Sequence, residues 1–129
     1  MKTKNSICVL VVHHESVTCE LVCQILDEYN VQSALTCAHA LASMKQWPAD
    51  VAIVDYELPD GTGLTLLSQL YVLNPNVFVI LVGGDLAKAQ FDASRKQVKI
   101  HRMLPEPLTS KVLRETIQQV LEHSSRARA

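Results

Sequence analysis

One pattern recurs five times along this chain and constrains its fold more than any other feature. A short, strand-like run, continuously apolar in the first, third and fourth cases, is followed by a stretch whose apolar residues fall at helical spacing. The runs are ICVLVV (7–12), VQSALTC (31–37), VAIVD (51–55), VFVILV (77–82) and VKIHRML (98–104). An apolar run without alternation is what a strand needs when both faces of its sheet are covered. The intervening stretches read as helices. Val17, Leu21, Val22, Ile25 and Leu26 mark the first, within residues 15–29, and HALASMKQ (39–46) is a short second one that Pro48 ends. Leu64, Leu66, Leu67, Leu70 and Leu73 mark the third, and LAKAQFDASRK (86–96) a weaker fourth. The fifth runs from about 108 to 122 with Val112, Leu113, Ile117, Val120 and Leu121 on one face. Strands alternating with helices form a parallel sheet with helices on both sides, and right-handed crossovers leave few topologies. The expected fold is α/β: a flavodoxin-like, doubly wound (βα)5 domain with a five-stranded parallel sheet in the order 2-1-3-4-5.

A length of 129 residues with 48% hydrophobic content suits one domain with its own core. That domain is expected over residues 1–123, with 124–129 (SSRARA) as the start of a linker or tail. The net charge of −1 gives no reason to expect nucleic-acid binding. The charge is uneven, however. Residues 1–64 hold 3 Lys/Arg against 8 Asp/Glu, and residues 65–129 hold 9 against 5, so one end of the fold is expected to present a basic face. Cys8, Cys19, Cys23 and Cys37 lie in apolar surroundings without a CxxC pair, which reads as reduced core thiols of a cytoplasmic protein. No run approaches the roughly 20 apolar residues of a membrane span, and MKTKNS does not open a signal peptide.

In a sheet of this order, ligands bind beyond the carboxyl ends of the strands, where the order reverses between strands 1 and 3. His13 and His14 end strand 1, Asp55 ends strand 3, Gly83 and Gly84 end strand 4, and Glu106 follows strand 5. These residues are expected to share one pocket. Two histidines at the end of a buried strand admit several readings. A histidine can hydrogen-bond or ion-pair with Asp55 or Glu106 and relieve the repulsion of clustered carboxylates. His13, His14, Asp55 and Glu106 are also a ligand set of the kind zinc accepts. Adjacent residues of an extended strand point opposite ways, so both rings reach one ion only if the chain turns there. A catalytic His–Asp pair finds no Ser or Cys nucleophile beside it. Asp55 itself could simply cap a turn.

VAIVDYELPDGTGLTLL (51–67) resembles the third-strand motif of response-regulator receiver domains, with Asp55, Pro59 and Gly63 at the matching places. The order and spacing of the other elements agree over residues 6–122. The resemblance implies that Asp55 stands at the phospho-acceptor position, that the domain signals and is not an enzyme, and that a cis peptide bond precedes Pro107. It also exposes departures. Where receivers carry an acidic pair that holds Mg²⁺, this chain has His13 and His14. Gly83, followed by Gly84, takes the place of Thr or Ser. Glu106 takes the place of Lys before Pro107, and Met103 that of the aromatic switch residue.

Phosphoryl transfer to a carboxylate depends on charge neutralisation. Mg²⁺ wants oxygen ligands, and imidazole is a poor substitute. Gly83 has no hydroxyl for the phosphoryl oxygens, and Glu106 adds a negative charge where a positive one is needed. The expectation is a degenerate receiver without Mg²⁺ or other cofactor, acting by contact with a protein partner or an attached output domain. The alternatives are a conventional phosphorelay receiver modified at Asp55 and a metal- or ligand-sensing module built on the histidines. By the same resemblance, a homodimer is expected through the face of helix 4, strand 5 and helix 5. Lys88, Arg95, Lys96, Lys99, Arg102, Lys111 and Arg114 would lie there among Asp92 and Glu115.

Overall fold

The computed structural model describes the backbone of residues 6–128 and the side chains of residues 6–122. Its main elements alternate: β1 (Cys8–Val12), α1 (Ser16–Ile25), β2 (Asn30–Ala34), α2 (Cys37–Gln46), β3 (Val51–Asp55), α3 (Gly63–Leu73), β4 (Phe78–Gly83), α4 (Leu86–Lys96), β5 (Arg102–Pro105) and α5 (Ser110–Arg128). The five strands form one parallel sheet in the order β2-β1-β3-β4-β5. This is the flavodoxin-like arrangement expected from the alternation. Register brings the strand ends level: Val12 lies against Val54, Asp55 against Val82, and Gly83 against Pro105.

Both faces of the central strands β1, β3 and β4 are covered, which is why they need no polar alternation, whereas the edge strands β2 and β5 are partly exposed. Side chains of successive strand residues point to opposite faces. Leu10, Val12, Ala52, Val54, Val79 and Leu81 therefore pack toward α2, α3 and α4, against Met44, Leu66, Leu67, Leu70 and Ala93. Val9, Val11, Ile53, Ile80 and Val82 pack the other way, against Cys19, Val22 and Leu26 of the α1 segment and Leu113, Ile117 and Val120 of α5. Among the described residues, no helix is long and apolar enough to cross a membrane. The four cysteines are free thiols.

Several local expectations need correction. The run 31–37 does not stay extended to its end. The Thr36 hydroxyl accepts the His39 N–H at 3.1 Å and caps α2, so Cys37 opens that helix. The carboxylate of Asp60 adds a second cap, accepting the N–H groups of Cys37 (2.8 Å) and Ala38 (3.1 Å). These bonds hold the Asp60 carboxyl below its usual range. The turn-rich ELPDGTG contains a two-residue hairpin, Glu57–Leu58 with Gly61–Thr62. Val17 is 73% exposed, and Leu21 and Val112 are also exposed, so the buried stripes of α1 and α5 are narrower than their apolar residues suggested. Helix α5 continues past residue 122 to Arg128, through residues expected to begin a linker, whose side chains lie outside the described residues.

Candidate functional site

The carboxyl ends of β1, β3, β4 and β5 meet at one edge of the sheet, and the residues singled out there converge. β1 keeps its pairing one residue beyond Val12, since the His13 N–H donates to Ala34 O at 3.1 Å. The chain then turns. The turn brings both imidazoles into the same crevice, with ring centroids 4.8 Å apart and planes only 19° from parallel. Opposite orientation, which an extended strand would impose, does not apply.

The two rings do different work. His13 is buried, with 3% of its side chain exposed. Its Nδ1 accepts the Glu15 N–H at 3.1 Å, and a backbone N–H can only donate. The ring proton therefore sits on Nε2, which donates to Glu106 Oε1 at 2.8 Å and lies 3.7 Å from Asp55 Oδ2. His14 is 45% exposed. Its Nδ1 makes a short hydrogen bond with Asp55 Oδ2, and its Nε2 lies 3.8 Å from Glu15 Oε1. The bond to Asp55 raises the His14 pKa above its ordinary value. Partial burial opposes the rise, and the charges of Asp55, Glu15 and Glu106 add to it.

Asp55 is 4% exposed at the end of β3. Its Oδ1 accepts the Glu57 N–H at 3.1 Å, and its Oδ2 accepts His14 Nδ1 and, at 3.4 Å, the His14 N–H. Both carboxylate oxygens are thus engaged by the chain itself. Gly63 shows why a glycine must stand eight residues on. A Cβ there would come within 2.4 Å of the Asp55 carbonyl oxygen, a backbone atom with no freedom to yield. The Gly63 N–H also donates to Tyr56 O at 2.7 Å. Gly83 is buried beside the crevice, and its carbonyl accepts the Glu106 N–H at 3.3 Å. Gly84 faces open space. The Glu106–Pro107 bond is cis, as the resemblance implied. Met103, opposite Leu81 in register, is half buried against the α2–α4 core.

This chain folds as receivers fold and carries their Asp at the end of β3. The family model for the response regulator receiver domain matches residues 9–118. The chain belongs to the response regulator receiver domain family. "Probable transcriptional regulatory protein TcrX" of Mycobacterium tuberculosis (strain ATCC 25618 / H37Rv) is 36% identical over 76 residues, which is 57% of this chain and 32% of that protein. The match therefore spans about a third of the length of that relative. Among solved structures, a CheY-like receiver domain protein from Methanospirillum hungatei JF-1 superposes with a TM-score of 0.84 at 24% identity, covering 94% of this chain and 98% of that one. The signal receiver domain of an HD domain-containing protein from Pseudomonas fluorescens Pf-5 also gives 0.84, at 26% identity over 100% and 98%. This chain is a receiver domain, a signalling module of two-component systems.

Two features of the receiver escaped the sequence. Tyr56 directs its hydroxyl to the Asp92 carboxylate on α4, which pushes the phenol up to about 12 and ties the residue after Asp55 to that helix. Asp92 is therefore engaged inside the domain. Arg114 does not join the face of α4 and β5. Its Nε donates to Ile25 O at 3.4 Å, at the C-terminal end of α1. His101 packs on Phe78 with centroids 4.3 Å apart and accepts the Val79 N–H on Nδ1 at 3.1 Å. Neither Tyr56 nor Arg114 lies at a spacing that would have revealed its partner.

Proposed function

We propose that this receiver signals without phosphoryl chemistry at Asp55 and without Mg²⁺. The observation that carries the reading is that both Asp55 carboxylate oxygens are engaged by the chain itself. These oxygens, which would have to face a metal ion and a phosphoryl donor, are held by His14 and by the Glu57 N–H. The rest of the donor set does not fit Mg²⁺, because imidazole nitrogens stand where a hard cation needs carboxylate oxygens. Gly83 offers no hydroxyl to a phosphoryl group. Glu106 brings a carboxylate toward the crevice where a lysine would bring a cation.

The domain then acts by protein–protein contact with a partner or an attached output domain, in the cytoplasm. The relative from M. tuberculosis bears the name of a probable transcriptional regulatory protein, and the match covers 32% of its length. The surface of α4, β5 and α5 supports self-association. Lys88, Arg95, Lys96, Lys99, Arg102 and Lys111 are exposed there, and a groove of about 490 Å³ runs beside Gln90, Ser94 and Met103. With Asp92 held by Tyr56, Glu115 is left as the acidic partner for that basic surface.

Acetyl phosphate with Mg²⁺, followed by intact mass, tests the reading, with beryllofluoride and Mg²⁺ followed by thermal midpoint beside it. The expected result is no added phosphoryl mass and no shift. Stoichiometric phosphorylation lost in Asp55→Asn would establish a conventional receiver instead.

A further inference from the structure

We propose that the crevice is a binding site for a borderline divalent cation of the zinc type, held by His13 Nε2, His14 Nδ1, Asp55 Oδ2 and Glu106 Oε1. The ligand atoms of His13, Asp55 and Glu106 already lie within 4.8 Å of one another. His13 Nε2 is 2.8 Å from Glu106 Oε1 and 3.7 Å from Asp55 Oδ2. Bonds of about 2.0–2.2 Å in a tetrahedron place neighbouring ligand atoms roughly 3.3–3.5 Å apart. Both distances can reach that value with shifts of about half an ångström. His14 Nδ1 contacts the same Asp55 oxygen from outside that trio, and its ring, stacked on His13, must turn inward to supply the second nitrogen.

Chemistry selects the ion. Two imidazoles with two carboxylates suit zinc and its neighbours and disfavour Mg²⁺, so this site differs in kind from one that neutralises a phosphoryl group. A divalent cation with Asp55 and Glu106 forms a neutral unit, which suits a pocket where His13 and Asp55 are almost fully buried. His14 and Glu106 are partly exposed and leave a path for entry. A carboxylate already faces the far nitrogen of a ligand ring. Glu15 Oε1 lies 3.8 Å from His14 Nε2, where it would orient that ring by accepting its N–H.

The protons balance. The Nδ1 proton of His14 leaves as the cation binds, to solvent from the protonated ring or to Nε2 in the neutral ring, and either way Nε2 keeps the N–H that faces Glu15. The proton of His13 moves from Nε2 to Nδ1, and the contact with the Glu15 N–H is given up. That amide lies at the exposed start of α1, where water replaces the lost acceptor.

Zinc ion, titrated into the metal-free full chain by calorimetry with Mg²⁺ in parallel, tests the site. Nitrogen-15 spectra of the histidine rings report which nitrogens bind. The expected result is one Zn²⁺ per chain, a raised thermal midpoint, shifts at His13 Nε2 and His14 Nδ1, and no response to Mg²⁺. His14→Asn and Glu106→Gln, both at partly exposed positions, should keep the far-UV spectrum and each weaken binding about 10–100-fold. Absence of stoichiometric binding would overturn the proposal. So would undiminished affinity in either variant, which would place the ion on surface residues such as His39. Phosphorylation is read by mass in a separate experiment, so the zinc site and the phosphate-independent reading can fail separately.

Discussion

Val54 and Asp55 are neighbours on β3 and are about equally buried, yet different physics holds them. Val54 sits in an apolar layer with Val12, Leu67 and Leu81, where removal from water supplies the stability and partners are interchangeable in kind. Asp55 sits one residue on, at the edge, where a buried carboxylate persists only with specific donors. One step along a strand thus changes the rule from volume to pairing. The difference teaches what each region tolerates. The layers should be indifferent to pH and sensitive to volume, and the crevice the reverse.

The largest effect is expected in the layers. Leu67→Ala removes a fully buried side chain and should destabilise the domain by about 2–5 kcal/mol, by the same amount near pH 6 and near pH 8.5. Chemical denaturation at both pH values measures this, and a strong pH dependence would break the contrast. Gly63→Ala follows, because its new methyl meets the Asp55 backbone. A loss of about 1–3 kcal/mol is expected, with α3 displaced at its first turn. Unchanged stability would mean that the motif glycine is not a steric requirement.

In the crevice, His13→Ala deletes the donor to Glu106 and leaves the buried side of the pocket unpaired. About 1–3 kcal/mol should be lost, with backbone amide shifts confined to the β1–α1 turn and the β5 exit. Shifts spread through the apolar layers would show that the two regions are not separable. The smallest effect belongs to His14→Asn in metal-free buffer, below about 1 kcal/mol because the ring is nearly half exposed. Its sign depends on pH. The folded pKa of His14 is raised by Asp55, so its contribution is fully present below the unfolded value near 6.5 and is lost as pH rises through the folded value. The variant should therefore lose more stability near pH 6 than near pH 8.5. Equal losses at both values would remove electrostatics from the His14–Asp55 pair.

Legibility followed the same division. The five strands, their order and the convergence of His13, His14, Asp55, Gly83 and Glu106 could be read in advance. Apolar periodicity reports burial directly, and strand ends in a parallel sheet must meet. Val17 and Leu21 were misjudged because periodicity marks an apolar face without saying how wide a stripe the neighbouring helix covers. Thr36 and Asp60 show a second limit. Thr36 caps α2 from a local position that the run 31–37 concealed, whereas Asp60 caps it from 23 residues away in sequence.

By itself, then, the sequence determined the layered α/β architecture and the chemical composition of the crevice, because local hydrophobic pattern and chain order suffice for both. Which nitrogen faces which oxygen was decided only by the tertiary structure. The turn after His13 overrides the alternation of an extended strand and stacks two rings that sequence logic would have sent apart. The Glu15 N–H then selects the His13 tautomer, and Asp55 claims His14. Such choices depend on hydrogen-bond directions among groups up to 93 residues apart, and no spacing along the chain encodes them.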